Sequence, residues 1–228
     1  MTLLLWVMPR PLLLALLCAL VTAGCGVARA DWIYREWSVQ GWVCRIEFWI
    51  TQPQAAGPLL EALRRDLAAV AATTDTPESP LLAQLLQRVQ PELAVTGGVT
   101  LPWHEVSRGL AVDRAIDVLA AHGVQQARIE VAGVVRLAGD RFGQPWQVSL
   151  PPPVSAQLAL RQRSYGVSRN AVVLADTALR AAMLATLADT RGAPATLQRL
   201  RQSADSVTTL LGPGARVLHG PQVPLNVR

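Results

Sequence analysis

Val106-Ser107-Arg108-Gly109-Leu110-Ala111-Val112-Asp113-Arg114-Ala115 is the stretch on which the fold turns. It opens a predicted helix over residues 106–122. Val112, Ile116, Leu119 and Ala120 recur at i, i+4, i+7 and i+8, one face of a 3.6-residue helix. His122-Gly123 ends it, because Gly123 is free to take the left-handed turn that closes a helix. An alternating run follows. Ala127, Ile129, Val131, Gly133, Val135 and Leu137 fall on one face, and Arg128, Glu130 and Arg136 on the other, which reads as one strand. Helix, glycine stop and strand predict a helix packed on a sheet.

Toward the C-terminus, residues 141–150 read as a turn at Phe142-Gly143-Gln144-Pro145 and then a continuation of the sheet. Pro151-Pro152-Pro153 is a stiff connection. Residues 158–168 read as one strand, and 171–175 as a short buried one. Asp176 or Thr177 caps a helix over 178–189. A last helix is predicted over 195–202. Short strands at 206–211 and 216–219, joined by Gly212-Pro213-Gly214, suit a sheet edge.

Toward the N-terminus, Trp42, Cys44, Ile46, Phe48 and Ile50 alternate with Val43, Arg45, Glu47, Trp49 and Thr51, a half-buried strand. Helices are predicted over 58–72, with Leu60, Leu63, Leu67 and Val70 inward, and over 81–89. Trp32, Trp37, Trp42 and Trp49 crowd one region, as core packing or as a stacking surface. The whole reads as one α+β domain over 31–228, a mixed or antiparallel sheet with packed helices.

All 21 basic residues are Arg, so no lysine amine is available to any mechanism. The net charge of +5 is scattered along the chain, without the stripe that a nucleic-acid binder needs. Residues 1–30 read as a secretory signal. An apolar run over 11–23 behind Arg10 is too short to span a bilayer, and Ala28-Arg29-Ala30 offers a small-x-small cleavage pattern. Thr22-Ala23-Gly24-Cys25 offers a competing lipoprotein processing site. The expected location is periplasmic, with membrane attachment only through a lipid on Cys25. Cleavage after Ala30 leaves Cys44 as the one cysteine, expected to be a small buried hydrophobe.

The letters carry a resemblance. Ser107 to Ala115, followed by Val131-Ala132-Gly133-Val134-Val135-Arg136, resembles the FAD:protein FMN transferase (ApbE-type) family, whose pattern is close to D-L-G-G-I-A-K-G-Y-A-V-D-R-A and then G-G-D-I-R. Gly143-Gln144-Pro145-Trp146-Gln147-Val148-Ser149-Leu150 resembles the family's G-x-P-W-x-V-x-I. Gly166-Val167-Ser168-Arg169-Asn170 resembles A-T-S-G-D, and residues 178–189 resemble A-M-L-A-D-A-L-A-T-A-L without gaps. The chain is shortened after Gln90-Pro91, where the family carries a large helical section.

The resemblance implies a Mg²⁺-assisted cut of the FAD pyrophosphate and attachment of FMN to a Thr or Ser of another protein. It places Arg108, Gly109, Ala132, Gly133 and Ser168 at the flavin, and Thr186 at the metal. The chain departs from it where the chemistry sits. Ala182 stands for the ligand Asp, Val134 for the Asp of G-G-D, Arg108 for the Lys, and His104 and Glu105 for two glycines. The family's H-I-I-D-P segment has no counterpart between Ser168 and Ala171. His104 and Glu105, as neighbours, point in different directions on a helix and make a poor acid–base pair. The expectation is an exported, catalytically impaired member that binds FAD or a flavin-carrying or electron-transfer protein, with Mg²⁺ deprived of its carboxylate. Two alternatives stand beside it: an active transferase with unusual ligands, and an accessory subunit without a flavin site.

Overall fold

The computed structural model describes residues 30–73, 87, 103–150, 157–169, 171–191, 208–211 and 225–226. Residues 1–29 of the predicted signal segment 1–30, most of the predicted helix 81–89, the predicted helix 195–202 and the predicted strand 216–219 lie outside the described residues.

Strands β1 (Asp31–Val39) and β2 (Trp42–Ile50) form a hairpin through Gln40 and Gly41, both at positive φ. That is the two-residue turn whose twist suits paired strands. A 3₁₀ turn at Pro53–Ala55 leads into helix α1 (Ala56–Thr73), which buries Leu59, Leu63, Leu67 and Val70. Helix α2 (Trp103–Ala121) begins three residues before the predicted start and stops as predicted. Val124 N–H donates to Leu119 O and Gly123 N–H to Ala120 O, with Gly123 at φ +76°. These are the paired bonds of a Schellman stop.

The remaining elements are β3 (Ala127–Val131), β4 (Val134–Ala138), β5 (Trp146–Ser149), β6 (Gln157–Leu160), β7 (Ser164–Val167), β8 (Ala171–Ala175), helix α3 (Ala178–Arg191), β9 (Thr208–Leu211) and β10 (Leu225–Asn226). One sheet has seven strands in the order β1-β2-β3-β4-β7-β8-β9, and a second has three in the order β10-β6-β5. Every strand pairing among the described residues is antiparallel. The α+β architecture is therefore as expected, with its larger sheet purely antiparallel.

Three local expectations need correction. The strand read through residues 127–137 is a hairpin: Val131 pairs with Val134, and Ala132 and Gly133 form the turn at φ 46° and 88°. Small apolar turn residues are invisible to an alternation count. Because the turn takes two residues, parity reverses beyond it. Ala127, Ile129, Val131 and Val134 face the helices, while Val135 and Leu137 face the small sheet. The run over 158–168 is two strands in different sheets, broken at Arg161–Arg163 where Gln162 has φ +44°. Residues 146–149 do not extend the large sheet; they pair with β6 in the small one.

The result is three layers. α1, α2 and α3 cover one face of the large sheet around Ile46, Phe48, Leu63, Leu67, Ile129 and Met183. The small sheet covers β4, β7 and β8 on the other, around Trp146, Val148, Leu158, Tyr165 and Leu174. Apolar area removed from water on both faces supplies the main driving force, about 25 cal/mol per Å².

Candidate functional site

The centre of the molecule is the junction of α2, α3 and β4. Asp113, on α2, is 6% exposed. Its Oδ1 accepts from Ala178 N–H and its Oδ2 from Leu179 N–H, each at 2.9 Å. Those are unpaired donors in the first turn of α3, so a carboxylate from another helix caps them and meets the positive end of the helix dipole. Arg136 on β4 donates to the same Oδ1 at 2.5 Å. Thr177 completes the cap, its Oγ1 accepting from Arg180 N–H at 3.2 Å.

Two glycines let the backbones meet. A Cβ at Gly109 would lie 2.5 Å from Leu179 Cα and 2.6 Å from Ala178 O. A Cβ at Gly166 would lie 2.7 Å from the Ala181 carbonyl. Both distances are inside atomic contact, so α3 is seated on α2 and β7 by the missing side chains.

The residues the resemblance places at a flavin divide accordingly. Gly109 faces α3. Arg108 is partly buried; its guanidinium donates to Glu105 at 2.5 Å, one turn away, while its Nε is buried without a partner. Ser168 is occupied within the β7–β8 turn, where its Oγ accepts from Ala171 N–H at 3.2 Å. Ala132 and Gly133 form an open turn, with nothing near the missing Cβ of Gly133. Of these positions, the Ala132–Gly133 turn is the one with open space beside it.

The metal position differs more. Ala182 offers no donor and is buried in the apolar core. Thr186 is also buried, and its hydroxyl donates back into its own helix, to Ala182 O at 2.9 Å. Mg²⁺ requires oxygen ligands in near-octahedral array, normally with a carboxylate. The donor set at this position does not fit it. Among the described residues no three His, Cys, Asp or Glu side chains cluster closely enough for a metal ion.

His104 is well exposed and lies 3.4 Å from Glu105, which also serves Arg108. Cys44 is fully buried, and burial pushes its thiol up to about 11, the behaviour of a core residue. The tryptophans divide between the two faces: Trp37 and Trp42 lie in the helix-side core, while Trp32, Trp49 and Trp146 pack together. Trp32 lies 5.6 Å from Trp49 and 5.7 Å from Trp146, with the Arg141 guanidinium 4.9 Å from the Trp32 ring. Sequence reading missed Arg136 as Asp113's partner, because the unseen turn placed it on the wrong face. It also missed Phe142, exposed at positive φ and 4.7 Å from Trp49.

Comparison with known proteins agrees with the architecture. A sequence model of the ApbE family matches residues 54–175, more than half of the chain. The fold is similar to that of the flavin transferase ApbE from Vibrio cholerae, at 12% identity and TM-score 0.63, covering 80% of this chain and 93% of that one. It is likewise similar to the apo flavinyl transferase ApbE of Pseudomonas stutzeri, at 14% identity and TM-score 0.65, covering 81% and 92%. The ApbE protein of Thermotoga maritima gives 16% identity and TM-score 0.54 over 86% and 97%. No curated protein sequence matches.

Proposed function

The chain belongs to the ApbE family, and on that premise we propose that it is an exported, non-catalytic member that works by binding rather than by transferring flavin. One observation carries this reading. At the position of the family's metal-ligand Asp stands Ala182, buried in the core, and the neighbouring Thr186 hydroxyl is turned into its own helix. Without a divalent cation, the charge that develops on a breaking pyrophosphate has no counter-charge there. Val134, where the family has a second Asp, is likewise buried and apolar.

The family letters that this chain keeps serve packing. Gly109 and Asp113 seat and cap α3. The two Asp letters it has lost, at Ala182 and Val134, are carboxylates that a metal at a phosphate would use. Selection for a scaffold, and not for turnover, accounts for that division. The Ala132–Gly133 turn and Arg108 are the surface offered to a ligand, either a flavin or a flavin-carrying or electron-transfer protein. The signal-like residues 1–30 support a site of action outside the cytoplasm.

The test is incubation of the exported protein with FAD, with and without Mg²⁺, followed by mass spectrometry for FMN and AMP. The expected result is no release under either condition. FAD retained without turnover would identify the flavin as the ligand, and no retention would leave the protein partner. Mg²⁺-dependent release of FMN would overturn the proposal.

A further inference from the structure

The corner of the large sheet where β1 begins carries four aromatic side chains on one face. Trp32 and Tyr34 stand two residues apart on β1, so they point the same way. Trp49 is directly opposite Trp32 on β2. Phe142 comes from the turn between β4 and β5, its ring 4.7 Å from Trp49 and 5.7 Å from Trp32, edge to face in both cases. Beyond these contacts the rings lie open. Phe142 is 56% exposed and Tyr34 54%, the most exposed large hydrophobics among the described residues.

The turn that presents Phe142 is unsuited to it. The Arg141 and Gln144 backbones bond to each other, and Phe142 and Gly143 between them hold φ +53° and +84°. Two-residue turns of this kind favour Asn-Gly, and a bulky residue at positive φ is an outlier. Contact with Trp49 accounts for one side of the ring, while more than half of the residue still faces solvent.

The charges around the corner are all paired. Arg141 lies 3.0 Å from Glu47 and over the Trp32 ring. Glu36 accepts from the Tyr34 hydroxyl and from Arg45, and Asp140 pairs with Arg161. The free edge of β1 is occupied as well: Asp31 accepts from Trp32 N–H, and Arg35 donates to the Tyr34 carbonyl. Side chains laid on an edge strand in this way oppose the addition of another strand. Neither a charged ligand nor a pairing strand finds a complement here. What the corner offers is aromatic surface with polar tips, the make-up of side chains that settle at a membrane–water interface.

The chain enters the domain at this same corner. Asp31 begins β1, and the apolar run over residues 11–23 ends seven residues earlier. Seven extended residues span at most about 25 Å. An N-terminal segment held in a bilayer, by that run or by a lipid on Cys25, therefore keeps the aromatic corner within that distance of the lipid headgroups.

We propose that this corner is a membrane-docking surface, with Phe142 and Tyr34 seated among phospholipid headgroups and Trp32 and Trp49 behind them. Because its charges are paired, docking rests on apolar area and not on attraction to anionic lipid. The surface is distinct from the Ala132–Gly133 turn, which bonds to the Val43 carbonyl at the other end of β2, about 20 Å along the strand. The proposal involves neither flavin nor transfer.

The experiment is quenching of tryptophan fluorescence by brominated phospholipid in vesicles of phosphatidylcholine, alone or mixed with phosphatidylglycerol. The apolar run 11–23 binds vesicles on its own account, so the readout has to be local. The full chain is used with Trp6→Phe to remove the reporter in that segment. Trp37 and Trp42 lie in the helix-side core and Trp146 in the other, so Trp32 and Trp49 report on the corner. Quenching is expected in both kinds of vesicle and at low and high salt. Phe142→Ser should lower it at least about twofold with the melting temperature unchanged, and Phe142→Leu should retain it. Val43→Ser, exposed at the far end of β2, should leave it unchanged. Absence of quenching, equal quenching in Phe142→Ser, or quenching abolished by salt would each overturn the proposal. So would self-association without vesicles that Phe142→Ser removes, because the corner would then face a second copy of the chain.

Discussion

Asp113 to Ala is the most informative single change. The wild-type carboxylate accepts two α3 N–H groups and the Arg136 guanidinium while almost wholly buried. Removing it leaves two helix donors uncapped, worth about 1 to 2 kcal/mol. It also strands a guanidinium whose side chain is 26% exposed. Breaking a fully buried pair costs about 3 to 5 kcal/mol, and the water that reaches Arg136 lowers that share. The sum expected is about 4 kcal/mol, a large fraction of a domain's net stability of about 5 to 15 kcal/mol. Asp113→Asn keeps one acceptor oxygen and should cost about half as much. Asp117, exposed on the same helix, is the control, and Asp117→Asn should stay within about 0.5 kcal/mol. Urea unfolding measures all three. In Asp113→Ala with Arg136→Met the stranded charge is gone, so the double variant should be more stable than Asp113→Ala alone. A loss under about 1 kcal/mol in Asp113→Ala would refute the view that this carboxylate fastens α3 to the sheet.

Other outcomes follow from the same contacts. Gly109→Ala should destabilise by several kcal/mol, because its methyl meets the Ala178 and Leu179 backbone and backbone has no rotamer to yield. Gly57→Ala in α1, with open space and an ordinary φ, should be neutral or stabilise by up to about 1 kcal/mol; thermal melts compare the two. Burial raises the Cys44 thiol to about 11 from 9.0. The folded state therefore keeps a proton that the unfolded chain has lost. That contribution, at most about 3 kcal/mol, is intact below about pH 9 and disappears as pH rises toward 11. Urea midpoints at pH 8 and 10.5 should fall less for Cys44→Ala than for the wild type, and equal falls would refute it. Gly133→Ala meets no atom but must hold φ +88°, so about 1 kcal/mol is expected on chemical denaturation.

Where one residue fixed its own neighbourhood, the sequence was readable. Gly123 marked the end of α2, and the period-2 run from Trp42 to Ile50 marked β2 with the correct buried face. Ala171–Ala175 and the helix after it were legible from branching and a cap. What failed were features made by turns of two or three residues. Ala132-Gly133 and Gln162 carry no alternation of their own, so one hairpin and one change of sheet passed unseen. That slip moved Arg136 to the wrong face and hid its bond to Asp113. Asp113's partners stand 23, 65 and 66 residues away, beyond any local pattern. At the site, substitution by Ala182 was visible as a letter. That Thr186 turns inward was not, because a hydroxyl's direction is set by the packing of α3.

The most direct test of the proposed non-catalytic role is covalent flavin transfer. The protein is incubated with FAD, Mg²⁺ and an acceptor protein presenting the family's Thr, and the denatured mixture is scanned in a gel for flavin fluorescence. An active family member is run beside it. Fluorescence is expected on the acceptor in the control lane alone. A fluorescent acceptor formed by this chain and abolished by a chelator would contradict the proposed non-catalytic role, and would mean that groups other than those at Ala182 and Val134 hold the metal.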